Sequence, residues 1–179
     1  GIGVDNIDIG AATTAGVMVI NAPQSNIISA AEHAIALMMS LARHIPNAHR
    51  DLMSGQWNRS KYEGTEIAGK NIGIVGLGRV GTLVAQRLAG FDANLIAYDP
   101  FITEERAKEL GVTLYEKLDE FIAACDVMSV HLPKTKETVD IINAEALKNA
   151  QPHLLLINTA RGGIVNQNDL YEALRDGVI

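Results

Sequence analysis

The sequence holds one cysteine, Cys125, in 179 residues. A lone thiol excludes a disulfide scaffold and any metal site built from several cysteines. Basic charge is also short. Fifteen Lys and Arg stand against 21 Asp and Glu, a formal net charge of −6. No basic field is available to neutralise nucleic-acid phosphates or an anionic lipid surface, so neither partner is expected. Long apolar runs are missing too: the most apolar stretch, 27–42, is interrupted by Glu32 and His33, which argues against a membrane span. No basic segment leads into a short apolar one in the manner of a signal peptide. Internal repeats and low-complexity runs are absent, and no Gly-x-Ser-x-Gly elbow supports a hydrolase. His44 and His49 lack the spacing of a zinc pair, so no metal is expected. What is present is ordinary globular composition, 47% hydrophobic and 20% charged. The expectation is a soluble protein of a reducing compartment, the cytoplasm. The chain opens at Gly1 and stops at Ile179 straight after a helical pattern, which reads as a piece of a longer protein.

Short apolar runs rich in β-branched residues recur along the chain: Val17–Ile20, Ile72–Val75, Asn94–Tyr98, Val127–Val130 and Leu154–Ile157. Helical patterns lie between them, roughly over 6–15, 25–44, 47–54, 79–90, 103–110, 117–124, 143–149 and 166–176. Continuous apolar strands alternating with helices predict an α/β fold, a doubly wound parallel sheet covered on both faces. The polar segment 55–70, with Trp57 and Tyr62, breaks the rhythm and reads as an ordered connection. In the pattern 25–44, Ser29, Glu32, His33, Ser40, Arg43 and His44 share one arc of the helical wheel, and the rest is apolar. Such a helix is either central in the core or shared with a second subunit or domain.

The strongest local signal is Gly76-Leu77-Gly78-Arg79-Val80-Gly81. An apolar strand precedes it, and Val80, Leu83, Val84, Leu88 and Phe91 follow at helical spacing. In this context Gly76 serves the tight turn out of the strand, Gly78 lets backbone approach a pyrophosphate, and Gly81 lets the helix pack close to the sheet. The pyrophosphate would sit at the helix N-terminus, where free N–H groups and the dipole favour an anion. The next strand ends in Asp99-Pro100. A carboxylate at that point accepts from a ribose diol and repels a 2′-phosphate, which favours NAD over NADP.

Two later strand ends face the same side of such a sheet. Val127–Val130 runs into His131-Leu132-Pro133, where His131 either caps the strand or touches the cofactor. Leu154–Ile157 runs into Asn158-Thr159-Ala160-Arg161-Gly162-Gly163. An Arg between small residues there is either a surface group in a turn or a planar fork for a carboxylate and a ketone oxygen.

Together the stretches 64–81, Val130-His131-Leu132-Pro133 and 158–165 resemble the signature of NAD-dependent D-2-hydroxyacid dehydrogenases. The opening Gly1-Ile2-Gly3-Val4-Asp5-Asn6-Ile7-Asp8, with Asn21-Ala22-Pro23 and Ser25-Asn26, looks most like the serine-biosynthetic branch that oxidises 3-phosphoglycerate. The resemblance implies two Rossmann-like domains with a cleft between them. Residues 1–22 would be a remnant of the substrate domain and 23–179 the NAD-binding domain. Helix 25–44 would carry part of the interface of a homodimer or higher homo-oligomer. By position, Arg161 would bind the substrate carboxylate and polarise the 2-oxo group. Gly76, Gly78, Arg79, Val80 and Gly81 would form the pyrophosphate turn. Asp99 would lie at the adenosine ribose, Leu132 and Pro133 on the adenine side, and Thr159 and Ala160 on the nicotinamide side, with Pro100, His131 and Arg161 also among the cofactor-binding residues. Ile2 and Gly3 would approach substrate carboxylate and nicotinamide, and Asn26 the substrate's phosphate. Asn166 stands where the family commonly has Asp and touches only a helix cap. The family's general-acid His and its orienting Glu are expected beyond Ile179, leaving this segment catalytically incomplete. Other D-2-hydroxyacid dehydrogenases, of glyoxylate, hydroxypyruvate or lactate type, or a non-catalytic NAD-sensing corepressor-like module, are the alternative readings.

Overall fold

The computed structural model describes residues 2–179. Five strands form one parallel sheet: β1 (Asn71–Val75), β2 (Asn94–Tyr98), β3 (Thr113–Tyr115), β4 (Val127–Val130) and β5 (Leu155–Asn158), in the order β3-β2-β1-β4-β5. The expected doubly wound α/β architecture is what is found. The chain winds outward from β1 through β2 to β3, then crosses back to lay β4 on the other side of β1. The switch point therefore lies at the carboxyl ends of β1 and β4, where a ligand crevice opens in such sheets.

Burial explains the strand sequences. Ile72, Ile74 and Val75 of β1 and Val127, Met128 and Val130 of β4 are 0–1% exposed, so residues pointing to either face must be apolar. One face packs under α2 (Ile27–Ala42) and α4 (Arg79–Leu88), with Ile72, Ile74, Leu95, Ala97 and Val127 against Ala34, Met38, Val84 and Leu88. The other face packs under α6 (Leu118–Ala124), α7 (Ala144–Leu147) and α8 (Gln167–Arg175), with Met128 and Val130 against Phe121, Leu147 and Ala173. Each such aliphatic side chain contributes about 1.5–3 kcal/mol by leaving water. The helices are capped locally: Asn166 accepts from the Asn168 and Asp169 N–H groups at the start of α8. Cys125 is fully buried, and burial, aided by the charge of Asp126, pushes its thiol up to about 12.

Three expectations need correction. Val17–Ile20 is not a strand: it runs without ladder partners, and Val17, Met18 and Ile20 are 59–80% exposed. Its apolar pattern finds no neighbouring strand to complete it. Strand β5 begins one residue later than expected, at Leu155, whose N–H joins the ladder by donating to Asp126 O. Strand β3 was not foreseen. Three residues at a sheet edge carry too little periodicity to stand out. Segment 55–70 is an ordered connection, with a 3₁₀ turn at Arg59–Tyr62. Lys61 and Tyr62 both donate to the buried Asp51 carboxylate, and these bonds, Lys61's first, hold it below the usual carboxylate range.

Helix α2 has one covered side and one bare side. Ala31, Ala34, Met38 and Ala42 are buried, whereas Ile28, Leu37 and Leu41 are 40–56% exposed. The bare row continues into α3 (Ile45–Met53) and its following loop, through Ile45, Leu52, Met53 and Trp57. Before all of these come α1 (Ile9–Thr14), capped by Asp8, which buries no residue, and the extended stretch after it. Among the described residues, no helix is long and apolar enough to cross a membrane.

Candidate functional site

The glycine turn follows β1 directly. Gly76 has φ +92, a backbone conformation that a side chain opposes, and its N–H extends the ladder to Tyr98 O. A Cβ on Gly81 would run into Gly76 O, so helix α4 meets the turn at backbone contact. At Gly78 the space within 4 Å of a would-be Cβ is open, and Gly78 is the N-cap of α4 with no side chain capping it. The turn thus presents uncapped helix N–H groups to an open space, which is what an anion needs.

That space belongs to a cleft of about 390 Å³. Five segments line it: Ile2; Asn26, Ile27 and Ala30 at the start of α2; Gly78, Arg79 and Val80; His131, Leu132 and Pro133 after β4; and Thr159, Ala160 and Arg161 after β5. Nine of the residues singled out as cofactor-binding and two of those singled out for substrate therefore meet in one place. Gly3 lies just below, under the Arg161 guanidinium, and a Cβ there would collide with Nη2. Gly76, Gly81, Asp99 and Pro100 do not line the cleft.

Asp99 does more than its position suggested. One carboxylate oxygen accepts from Leu77 N–H at 2.8 Å, the other from Phe101 N–H at 2.9 Å. It therefore holds the glycine turn in place, with acceptor capacity left on each oxygen. Arg79 turns its side chain away, donating through Nη1 to Pro23 O at 2.8 Å, so only its backbone serves the turn. Asn26 makes no side-chain cap bond to α2, leaving its amide to the cleft.

His131 ends its strand and also lines the cleft. Its N–H continues the β1–β4 ladder to Val75 O, while its Nε2 pairs with Ser129 Oγ at 2.9 Å. Burial pushes the imidazole down to about 4, so it is neutral near pH 7. His153 pairs with Asp126 at the opposite end of the sheet, away from the cleft. The Thr159 hydroxyl is buried and has no partner. A buried hydroxyl without a partner is costly, and this one belongs to a residue that lines the cleft.

Arg161 extends from the loop after β5. Its Nε donates to Asp5 Oδ2 at 2.6 Å and its Nη1 to Ala160 O at 2.8 Å. Asp5 escaped the sequence reading because 156 residues separate the pair. Ser129 escaped too, although a Ser inside the run Val127–Val130, two before a His, was a visible irregularity.

A first βα turn of this geometry, at the switch point of a parallel sheet, defines a doubly wound dinucleotide-binding domain. The model of the D-isomer specific 2-hydroxyacid dehydrogenase family, NAD binding domain, matches residues 35–179, and the chain belongs to that family. A D-3-phosphoglycerate dehydrogenase of Mycobacterium tuberculosis is 51% identical over 177 residues, 99% of this chain and 33% of the relative. The chain thus spans a third of the length of such relatives. Among solved structures, apo D-lactate dehydrogenase of Escherichia coli superposes with a TM-score of 0.91 at 31% identity, over 99% of this chain and 56% of that one. D-lactate dehydrogenase of Aquifex aeolicus, complexed with NAD and lactic acid, gives 0.89 at 31%, over 100% and 54%.

Proposed function

We propose that this chain is the NAD-binding part of an enzyme that exchanges hydride between NAD and 3-phosphoglycerate, giving 3-phosphohydroxypyruvate in serine biosynthesis. The observation that carries the reading is the meeting of the glycine turn and Arg161 on one cleft. The choice of substrate rests on the relatives: the one near 50% identity is named for phosphoglycerate, and those near 31% for lactate.

The residues fit the cofactor. Gly78, Arg79 and Val80 would hold the pyrophosphate on backbone N–H groups, and the spare acceptors of Asp99 the adenosine ribose. Pro100, Leu132 and Pro133 would flank the adenine, and Thr159 and Ala160 the nicotinamide. Bound there, NAD supplies the hydride acceptor. The Arg161 fork would take the substrate carboxylate and stabilise negative charge developing on the 2-oxygen, with Ile2 and Gly3 close by and Asn26 at the phosphate. The general acid must come from elsewhere in the enzyme. His131, neutral and tied to Ser129, is unsuited to exchanging a proton near pH 7. Residues 1–22 would belong to the substrate domain and 23–179 to the cofactor domain. Two copies would pair over the bare side of α2, and the enzyme would work in the cytoplasm.

Titration calorimetry on this chain tests the core of the reading. NAD should bind, and NADP about 10-fold or more weakly, because Asp99 repels a 2′-phosphate. No heat with NAD from folded protein would refute it.

A further inference from the structure

Arg161 is held by two acceptors and a close stretch of backbone. Asp5 takes Nε, Ala160 O takes one hydrogen of Nη1, and Gly3 supplies the bare backbone over which Nη2 lies. Among the described residues the remaining hydrogens, one on Nη1 and two on Nη2, have no acceptor, so the Nη1/Nη2 end can serve a ligand as an end-on fork. The Asp5–Arg161 pair is half exposed, at 50% and 42%, and an exposed pair adds little to folding. Its value must lie in direction rather than stability.

We infer that Asp5 is a positioning residue: its carboxylate fixes the Arg161 guanidinium through Nε so that the end-on fork faces the substrate's carboxylate and 2-oxygen. The inference rests on the proposed role of Arg161 in the reaction. Asp5 touches no reacting atom. It acts by removing the rotamers of a long side chain before substrate arrives, so that the fork is aligned when charge develops on the 2-oxygen. Asp5 also offsets the charge of Arg161, so an Asp5→Asn variant should attract an anionic substrate at least as well as the native enzyme while aligning it worse. Loss should therefore fall on kcat and spare KM.

The test uses an enzyme of the relatives' full length carrying this chain, with 3-phosphoglycerate as substrate. Asp5→Asn should lower kcat about 10-fold or more while KM rises less than about 3-fold and Tm stays unchanged. Asp5→Glu, which keeps the charged carboxylate that Asn lacks, should recover part of the loss. In an Arg161→Lys background, where no Nε–H remains, Asp5→Asn should cost little more. In this chain by itself, the Arg161 Nε–H signal in a ¹⁵N spectrum should be sharp and slowly exchanging, and should broaden in Asp5→Asn. Native kcat in Asp5→Asn, an equal loss in the Arg161→Lys background, or an unchanged Nε–H signal would each overturn the inference. A native full-length enzyme inactive on every 2-hydroxy acid tried would instead overturn the functional reading, whatever the Nε–H signal shows.

Discussion

Arg161 and His131 line the same cleft under opposite demands. Arg161 is half exposed, with donors left for a ligand. Arg161→Ala in the full-length enzyme should therefore lower kcat/KM by about 10³-fold or more, a loss of roughly 4 kcal/mol of transition-state stabilisation, while NAD affinity shifts less than about 3-fold. Parallel steady-state kinetics and calorimetry check this, and equal losses in both would count against the assigned role. His131 must instead stay neutral. Burial holds it near 4 against an ordinary value of 6.5. Below 6.5 the unfolded chain takes up a proton that the folded chain refuses. The stability tied to His131 is thus complete above about 6.5 and is lost as pH falls toward 4, amounting to about 3 kcal/mol. Urea unfolding between pH 8 and 4 should show this slope, and His131→Gln should flatten it. Superimposable profiles would show that the imidazole is not excluded from protonation.

At the scale of elements, the β1–turn–α4 unit separates two uses of glycine. Gly81→Ala drives a methyl into Gly76 O, so stability should fall by about 1–3 kcal/mol and NAD binding with it. Gly78 has φ −65 and open space around it. Gly78→Ala should therefore leave stability within about 0.5 kcal/mol of the native chain while weakening NAD about 10-fold or more, because the methyl fills the anion's place. Thermal melts paired with calorimetry distinguish the two outcomes. This unit was legible from sequence because each glycine answers a local demand, and because strands buried on both faces read as unbroken apolar runs. The edge elements were not. Val17–Ile20 has the composition of a strand but no ladder partner, and β3 is too short for a period to show. The Asp5–Arg161 contact joins positions 156 apart, which spacing along the chain does not encode, whereas Ser129 and His131, two apart at a strand end, share a face by simple alternation.

For the molecule as a whole, the bare row Leu37, Leu41, Ile45, Leu52 and Trp57 departs from an ordinary surface. If copies pair there, Leu41→Glu should convert a dimer into a monomer in sedimentation velocity without unfolding it, since Leu41 is 43% exposed in the single chain. An unchanged sedimentation coefficient would place any interface elsewhere. The opposite extreme of exposure belongs to Cys125, which lies beneath Gly73 at the heart of the sheet, with its thiol pushed up to about 12. A thiol reagent cannot reach this sulfur, and the sulfur does not ionise, until α6 lifts from β1. The rate of its labelling is then a clock for the opening of the domain, set by the chain's only cysteine. A cofactor that ties the carboxyl ends of β1 and β4 together would slow that clock without touching the sulfur.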